Sequence, residues 1–82
     1  MKSRSSIVIY GNKEKCDYCV KATTLLDLNE VEYKYLDTAI PENLMYLKSN
    51  GYTTIPQIFA GEPSKETLIG GYAELAELFS AE

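Results

Sequence analysis

The sequence contains no histidine, only two cysteines and no surplus of basic charge, with 8 Lys and Arg against 12 Asp and Glu for a net charge of −4. Each shortage closes off a class of function. One cysteine pair without histidine leaves a mononuclear zinc site short of its usual four ligands, so no metal is expected there. A phosphate backbone would find no basic footprint, which argues against binding to nucleic acid or to an anionic membrane, while a basic protein partner remains compatible. No apolar run approaches the roughly 20 residues that a transmembrane helix needs. The run Ile7-Val8-Ile9-Tyr10 that follows Lys2 and Arg4 meets Gly11-Asn12-Lys13 at once and is too short for the apolar region of a signal peptide. The chain is therefore expected to be soluble and cytoplasmic.

What is present suits one domain spanning 1–82, with no room for a second and no internal repeat or low-complexity segment. The 45% apolar and 24% charged content is that of a globular protein rather than a disordered or fibrous one. Only the first few residues and the last two are expected to fray.

Strand and helix patterns alternate along the chain. Ile7 to Tyr10 reads as a buried β-branched strand. From Tyr18 to Leu28, Cys19, Ala22 and Leu26 recur at helical spacing, with Val20, Leu25 and Leu28 widening the stripe. Val31, Tyr33 and Tyr35 alternate with Glu32 and Lys34 as a half-buried strand ending near Asp37. Pro41 suits a first helical turn, and Leu44, Met45 and Leu47 before Asn50-Gly51 predict a short helix with a glycine stop. Gln57–Ala60 and Thr67–Ile69 form a hairpin turned by Gly61-Glu62-Pro63-Ser64. After Gly70-Gly71, a last helix puts Tyr72, Leu75, Leu78 and Phe79 on one face. The order βαβαββα predicts an α/β domain, a four-stranded mixed sheet flanked by three helices. Tyr10, Tyr33 and Tyr35 read as sheet packing, Phe59 and Leu75 as core, and Lys15 and Lys48 as solvated charges.

The cysteines stand at Cys16-Asp17-Tyr18-Cys19, at the head of the first helix. Spacing alone is compatible with redox exchange, metal binding or a structural staple; in the cytosol, where ordinary thiols stay reduced, a staple is the weakest of these. Position makes the pair asymmetric. The free N–H groups and the dipole at a helix N-terminus favour an anion, so Cys16 is expected to be the thiolate. Lys13 and Lys15 would support it, and Asp17 would oppose it. Cys16 would then attack a disulfide, and Cys19, one turn further in, would attack Cys16 to release the product.

Three separated motifs add a resemblance: Lys13-x-x-Cys16-Asp17-Tyr18-Cys19, Thr53-Thr54-Ile55-Pro56-Gln57-Ile58-Phe59 and Gly70-Gly71-Tyr72-Ala73-Glu74-Leu75. In that order, and with this strand and helix pattern, the chain resembles a dithiol glutaredoxin of the thioredoxin-fold superfamily. The resemblance implies a cis peptide bond at Ile55-Pro56, with the Ile55 backbone pairing with that of bound glutathione. It implies that the N–H groups of Tyr72 and Ala73, after the turn at Gly71, hold the γ-glutamyl carboxylate. Lys13 would attract the glycine-end carboxylate, and Tyr18 and Thr54 would line the groove beside Pro56. The implied activity is glutathione-dependent thiol–disulfide exchange, with glutathione as reductant and disulfide proteins such as ribonucleotide reductase as partners of a monomer. The alternative is a [2Fe–2S] carrier dimer in which Cys16 of each subunit and two glutathiones supply the four thiolates. The sequence departs from the familiar pattern at Asp17, where the family has proline, and at Ala73, where many relatives have Asp or Ser.

Overall fold

The computed structural model describes residues 7–80, so the expected fraying ends, residues 1–6 and 81–82, lie outside the described residues. The strands are β1 (Ile7–Gly11), β2 (Tyr33–Asp37), β3 (Gln57–Ala60) and β4 (Leu68–Gly70). The helices are α1 (Asp17–Leu28), α2 (Pro41–Ser49) and α3 (Tyr72–Ser80). They alternate in the expected order. The sheet runs β2-β1-β3-β4, with β1 parallel to β2 and antiparallel to β3, and β3 antiparallel to β4.

Because side chains alternate across a strand, β1 feeds two cores. Ile7 and Ile9 join Ala22 and Leu26 of α1, Ile58 of β3 and Leu75 of α3 on one face. Val8 and Tyr10 join Phe59 and Leu47 of α2 on the other. The register that places Ile9 opposite Ile58 and Val8 opposite Phe59 keeps both sets in step. Tyr10 stacks on Tyr46 at 5.2 Å between ring centroids and meets Phe59 edge-on at 5.9 Å. Phe59 and Leu75 are fully buried, as their patterns imply.

The helix stripes are narrower than the sequence suggests. Cys19, Ala22 and Leu26 are buried, joined by Thr23, whose hydroxyl donates to the Cys19 and Val20 carbonyls. Val20 and Leu28, expected to widen that stripe, are exposed, Leu28 at 77%. In α2 only Leu47 is buried, while Leu44 and Met45 face outward, and in α3 Leu78 is 58% exposed. A four-stranded sheet offers each helix only a narrow contact line, so apolar residues at the margin of the stripe find no partner.

Two strand boundaries also shift. Val31, expected to open β2, instead donates its N–H to the Leu26 carbonyl (2.9 Å), closing α1 through Glu30 at φ 57°. Thr67, expected to open β4, locks the hairpin turn, its hydroxyl donating to the Glu62 carbonyl at 2.7 Å. Pro41 takes the first turn of α2, as expected, and Gly51 follows its end at φ +81°.

Candidate active site

The site assembles where β1 ends, α1 and α3 begin and the loop before β3 crosses between them. Cys16 is the N-cap of α1, with extended backbone angles (φ −132°, ψ 107°), and its sulfur accepts the Cys19 N–H at 3.2 Å. That bond satisfies one of the N–H groups a helix start leaves without an intrahelical acceptor. The sulfur also lies 3.7 Å from the Ile55 carbonyl oxygen, within reach of an S–H bond across 39 residues of sequence.

Both thiols are free, Cys16 partly exposed and Cys19 buried. Cys19 fills the space in front of Gly11, and its sulfur accepts the Asn12 N–H at 3.4 Å. Burial, reinforced by the hydrogen bond with Cys16, pushes the Cys19 thiol up to about 12. The two sulfurs thus have different surroundings: Cys16 partly exposed beside the wall formed by Ile55, Cys19 buried and protonated.

That wall belongs to a groove of about 260 Å³ lined by Tyr18, Thr54, Ile55, Pro56, Gly71, Tyr72, Ala73 and Glu74. Seven of the eight residues expected to bind substrate therefore converge there; Lys13 is outside the lining. The Ile55–Pro56 bond is cis. Gln57, buried behind Pro56, holds the loop in place by donating its amide to the Thr54 carbonyl (3.0 Å) and hydroxyl (3.1 Å). Tyr18, 58% exposed, stacks on Tyr72 at 5.9 Å, joining the starts of α1 and α3 along the rim. At the far end, Glu74 accepts the Gly71 N–H at 2.8 Å. This is a capping contact, the third helical residue reaching back to the residue before the helix. The N–H groups of Tyr72 and Ala73, in the first turn of α3, have no intrahelical acceptor and can serve a carboxylate.

Lys13 lies over Tyr35, its Nζ 4.8 Å from the centroid of the ring. Tyr35, read from its alternation as sheet packing, does more: its hydroxyl accepts the Lys13 N–H (2.9 Å) and donates to the Gly11 carbonyl (3.1 Å). It ties the segment leading into the cysteines to the end of β1. Its only signal in the sequence was the strand pattern, which does not say where a hydroxyl ends. Glu74 could have been found from its spacing after Gly71.

A family model described as Glutaredoxin matches residues 7–63. The chain belongs to the glutaredoxin family. It is 38% identical over 58 residues to glutaredoxin 1 of Rickettsia prowazekii (strain Madrid E), covering 66% of this chain and 60% of that relative. Glutaredoxin 1 of Rickettsia typhi (strain ATCC VR-144 / Wilmington) matches at 38% identity over 66% of this chain and 55% of its own length. The chain thus spans less than two thirds of these curated relatives. Among solved structures, the solution structure of the glutaredoxin of Brucella melitensis superposes with a TM-score of 0.71 at 29% identity, covering 98% of this chain and 84% of that one. The crystal structure of glutaredoxin 1 of Francisella tularensis complexed with cacodylate gives 0.66 at 24% identity, covering 93% and 94%, and supports the fold. The architecture is the thioredoxin-like fold of glutaredoxins. The family model stops before α3, so the Gly70-Gly71 turn and its helix are matched through the whole-chain structural likeness. No helix among the described residues is long and apolar enough to cross a membrane.

Proposed function

We propose that this glutaredoxin is a glutathione-dependent thiol–disulfide oxidoreductase that reduces protein disulfides and glutathione mixed disulfides in the cytoplasm, as a monomer. The observation that carries the reading is the contact between the partly exposed Cys16 sulfur and Ile55, whose segment walls a groove ending at the open N–H groups of α3. In this reading Cys16, as thiolate, attacks a disulfide sulfur and joins it as a mixed disulfide, while the displaced thiolate leaves and takes up a proton. Cys19 then loses its proton and attacks Cys16, closing the Cys16–Cys19 disulfide and releasing the second product thiol. Two electrons pass from the dithiol to the substrate; two molecules of glutathione return them.

The groove fits an anionic tripeptide. Tyr72 and Ala73 offer N–H groups to a carboxylate, and Ile55 and Thr54 offer backbone beside the nucleophile. Lys13, held over Tyr35 outside the lining, supplies a cation for the second carboxylate. Ala73 offers no polar side chain to the γ-glutamyl end; among the described residues Glu74 supplies the only carboxylate in the lining. Asp17, exposed in the first turn of α1, places a negative charge where a rigid proline is the family's habit.

The test is turnover coupled to glutathione and glutathione reductase on two substrates. Cys16→Ser is expected to abolish both activities. Cys19→Ser is expected to lose most reduction of a protein disulfide, for which ribonucleotide reductase is a suitable substrate, while keeping removal of glutathione from a mixed disulfide. Turnover sustained by thioredoxin reductase but not by glutathione would overturn the assignment. The cluster-bearing dimer makes a separate prediction, a coloured iron-containing species on anaerobic reconstitution with glutathione; a colourless, iron-free monomer eliminates it.

A further inference from the structure

Ile55 and Thr54 have a second face. Besides the groove that runs to α3, they line a larger one of about 400 Å³ between α2 and the segment leading to β3. Leu44 and Tyr52 contribute apolar surface to it over the buried Leu47, and Lys48 is the sole charged residue among the described residues that line it. Leu44 is partly exposed at 38%, although a solvated α2 would gain by burying it. The two grooves share Thr54 and Ile55, and the Ile55 carbonyl meets the Cys16 sulfur, so the second groove begins one residue from the sulfur site.

Resting on the dithiol exchange proposed above, we infer that this second groove seats the polypeptide flank of a protein disulfide, taking an apolar side chain beside the substrate cysteine against Leu44 and Tyr52 and an acidic one against Lys48. Glutathione does not account for it. Its only side chain beyond the polar γ-glutamyl and glycine ends is the reacting cysteine, so it has nothing to place on an apolar surface. A polypeptide bonded through sulfur to Cys16 must leave that point in two directions, and the α2 groove lies across the shared Thr54 and Ile55 from the first. The chemistry is unchanged: Cys16 forms a mixed disulfide with one substrate sulfur, the other leaves as thiolate, and Cys19 displaces the first as its own proton departs. The groove acts on which disulfide arrives and how long it stays.

The test removes glutathione altogether. Pre-reduced protein is mixed in single turnover with three disulfide peptides: one carrying leucine and glutamate beside its cysteine, one with the leucine replaced by alanine, and one with the glutamate replaced by lysine. Rates are divided by that with hydroxyethyl disulfide, which has no flank. Losing the leucine is expected to cost roughly tenfold. Exchanging glutamate for lysine is expected to cost roughly threefold at low ionic strength, and Lys48→Glu to reverse that preference. Equal normalised rates for all three peptides, or a glutamate-to-lysine ratio that Lys48→Glu leaves unaltered, would overturn the inference. Failure of glutathione dependence would show instead as absent turnover in the coupled assay, leaving the peptide ratios readable.

Discussion

A Cβ built on Gly11 would stand 2.7 Å from the Cys19 sulfur and 3.1 Å from its Cβ. The last residue of β1 is therefore the floor on which the second thiol rests. Gly11→Ala forces either the strand end or the first turn of α1 to move, at about 1–3 kcal/mol in stability. A chemical-denaturation midpoint lower than that of the parent checks it, and adding Cys19→Ala, which removes the sulfur, should recover part of the loss. An unaltered midpoint in Gly11→Ala would refute the packing.

The buried Cys19 thiol makes stability fall in alkali. In the unfolded chain it ionises near its ordinary value, whereas in the fold burial holds its proton to about 12. The folded state thus binds more protons between these limits, so stability is fully present below about pH 9 and is lost as pH rises towards 12, at up to about 1.4 kcal/mol per pH unit. Burial also raises Tyr10, Tyr33 and Tyr35, which adds to the same trend at higher pH. Denaturation of the reduced protein from pH 7 to 11, compared with Cys19→Ser, isolates the thiol: the variant should show the shallower decline. At pH 7.5, brief iodoacetamide treatment should label Cys16 and spare Cys19, read by peptide mass mapping.

Tyr35→Phe keeps the ring under Lys13 but removes the hydroxyl that accepts one backbone N–H and donates to one carbonyl. A loss of about 1–2 kcal/mol is expected, since each half-exposed bond contributes about 0.5–1.5 kcal/mol net. Hydrogen exchange at the Lys13 amide should accelerate in the variant. An unchanged rate there would show that the hydroxyl does not hold the loop.

The two glycines before α3 should respond differently. Gly70 has φ +125°, and a Cβ there would lie 2.8 Å from Glu74 Cγ, so Gly70→Ala should lower the thermal midpoint through about 1–3 kcal/mol of backbone strain. Gly71 lacks that constraint, and its Cβ would lie 3.5 Å from the Pro56 carbonyl oxygen, an ordinary contact on the groove wall. Gly71→Ala should fold as the parent does while raising the KM for glutathione in the coupled assay. Equal thermal midpoints for the two variants would contradict this division.

The cysteine pair was legible before folding because it is local. Cys16 and Cys19 are three residues apart on one helix start, whereas Pro56 and Gly70-Gly71, which taken alone read equally as a strand start and a plain turn, were placed beside them by the resemblance. The continuous apolar run from Ile7 to Tyr10 marked a buried strand, and the structure divides it between one core holding Ile7 and Ile9 and another holding Val8 and Tyr10. Residues whose role depends on a distant partner were not legible. Tyr35 looked like sheet packing until its hydroxyl was placed on Gly11 and Lys13, more than 20 residues away. Val20, Leu28 and Leu78 fit their helical stripes but lie beyond the reach of the sheet.

By itself the sequence determined the order of elements, the buried first strand and the asymmetry of position between Cys16 and Cys19, since each rests on short-range patterning or on a helix terminus. Tertiary structure decided what surrounds each sulfur. The Ile55 carbonyl reaches Cys16 across 39 residues, and Gly11 and Asn12 enclose Cys19, because β1, α1 and the loop before β3 meet at one end of the sheet. Desolvation and hydrogen bonding depend on which groups fill the nearest few ångströms, and no spacing along the chain records that.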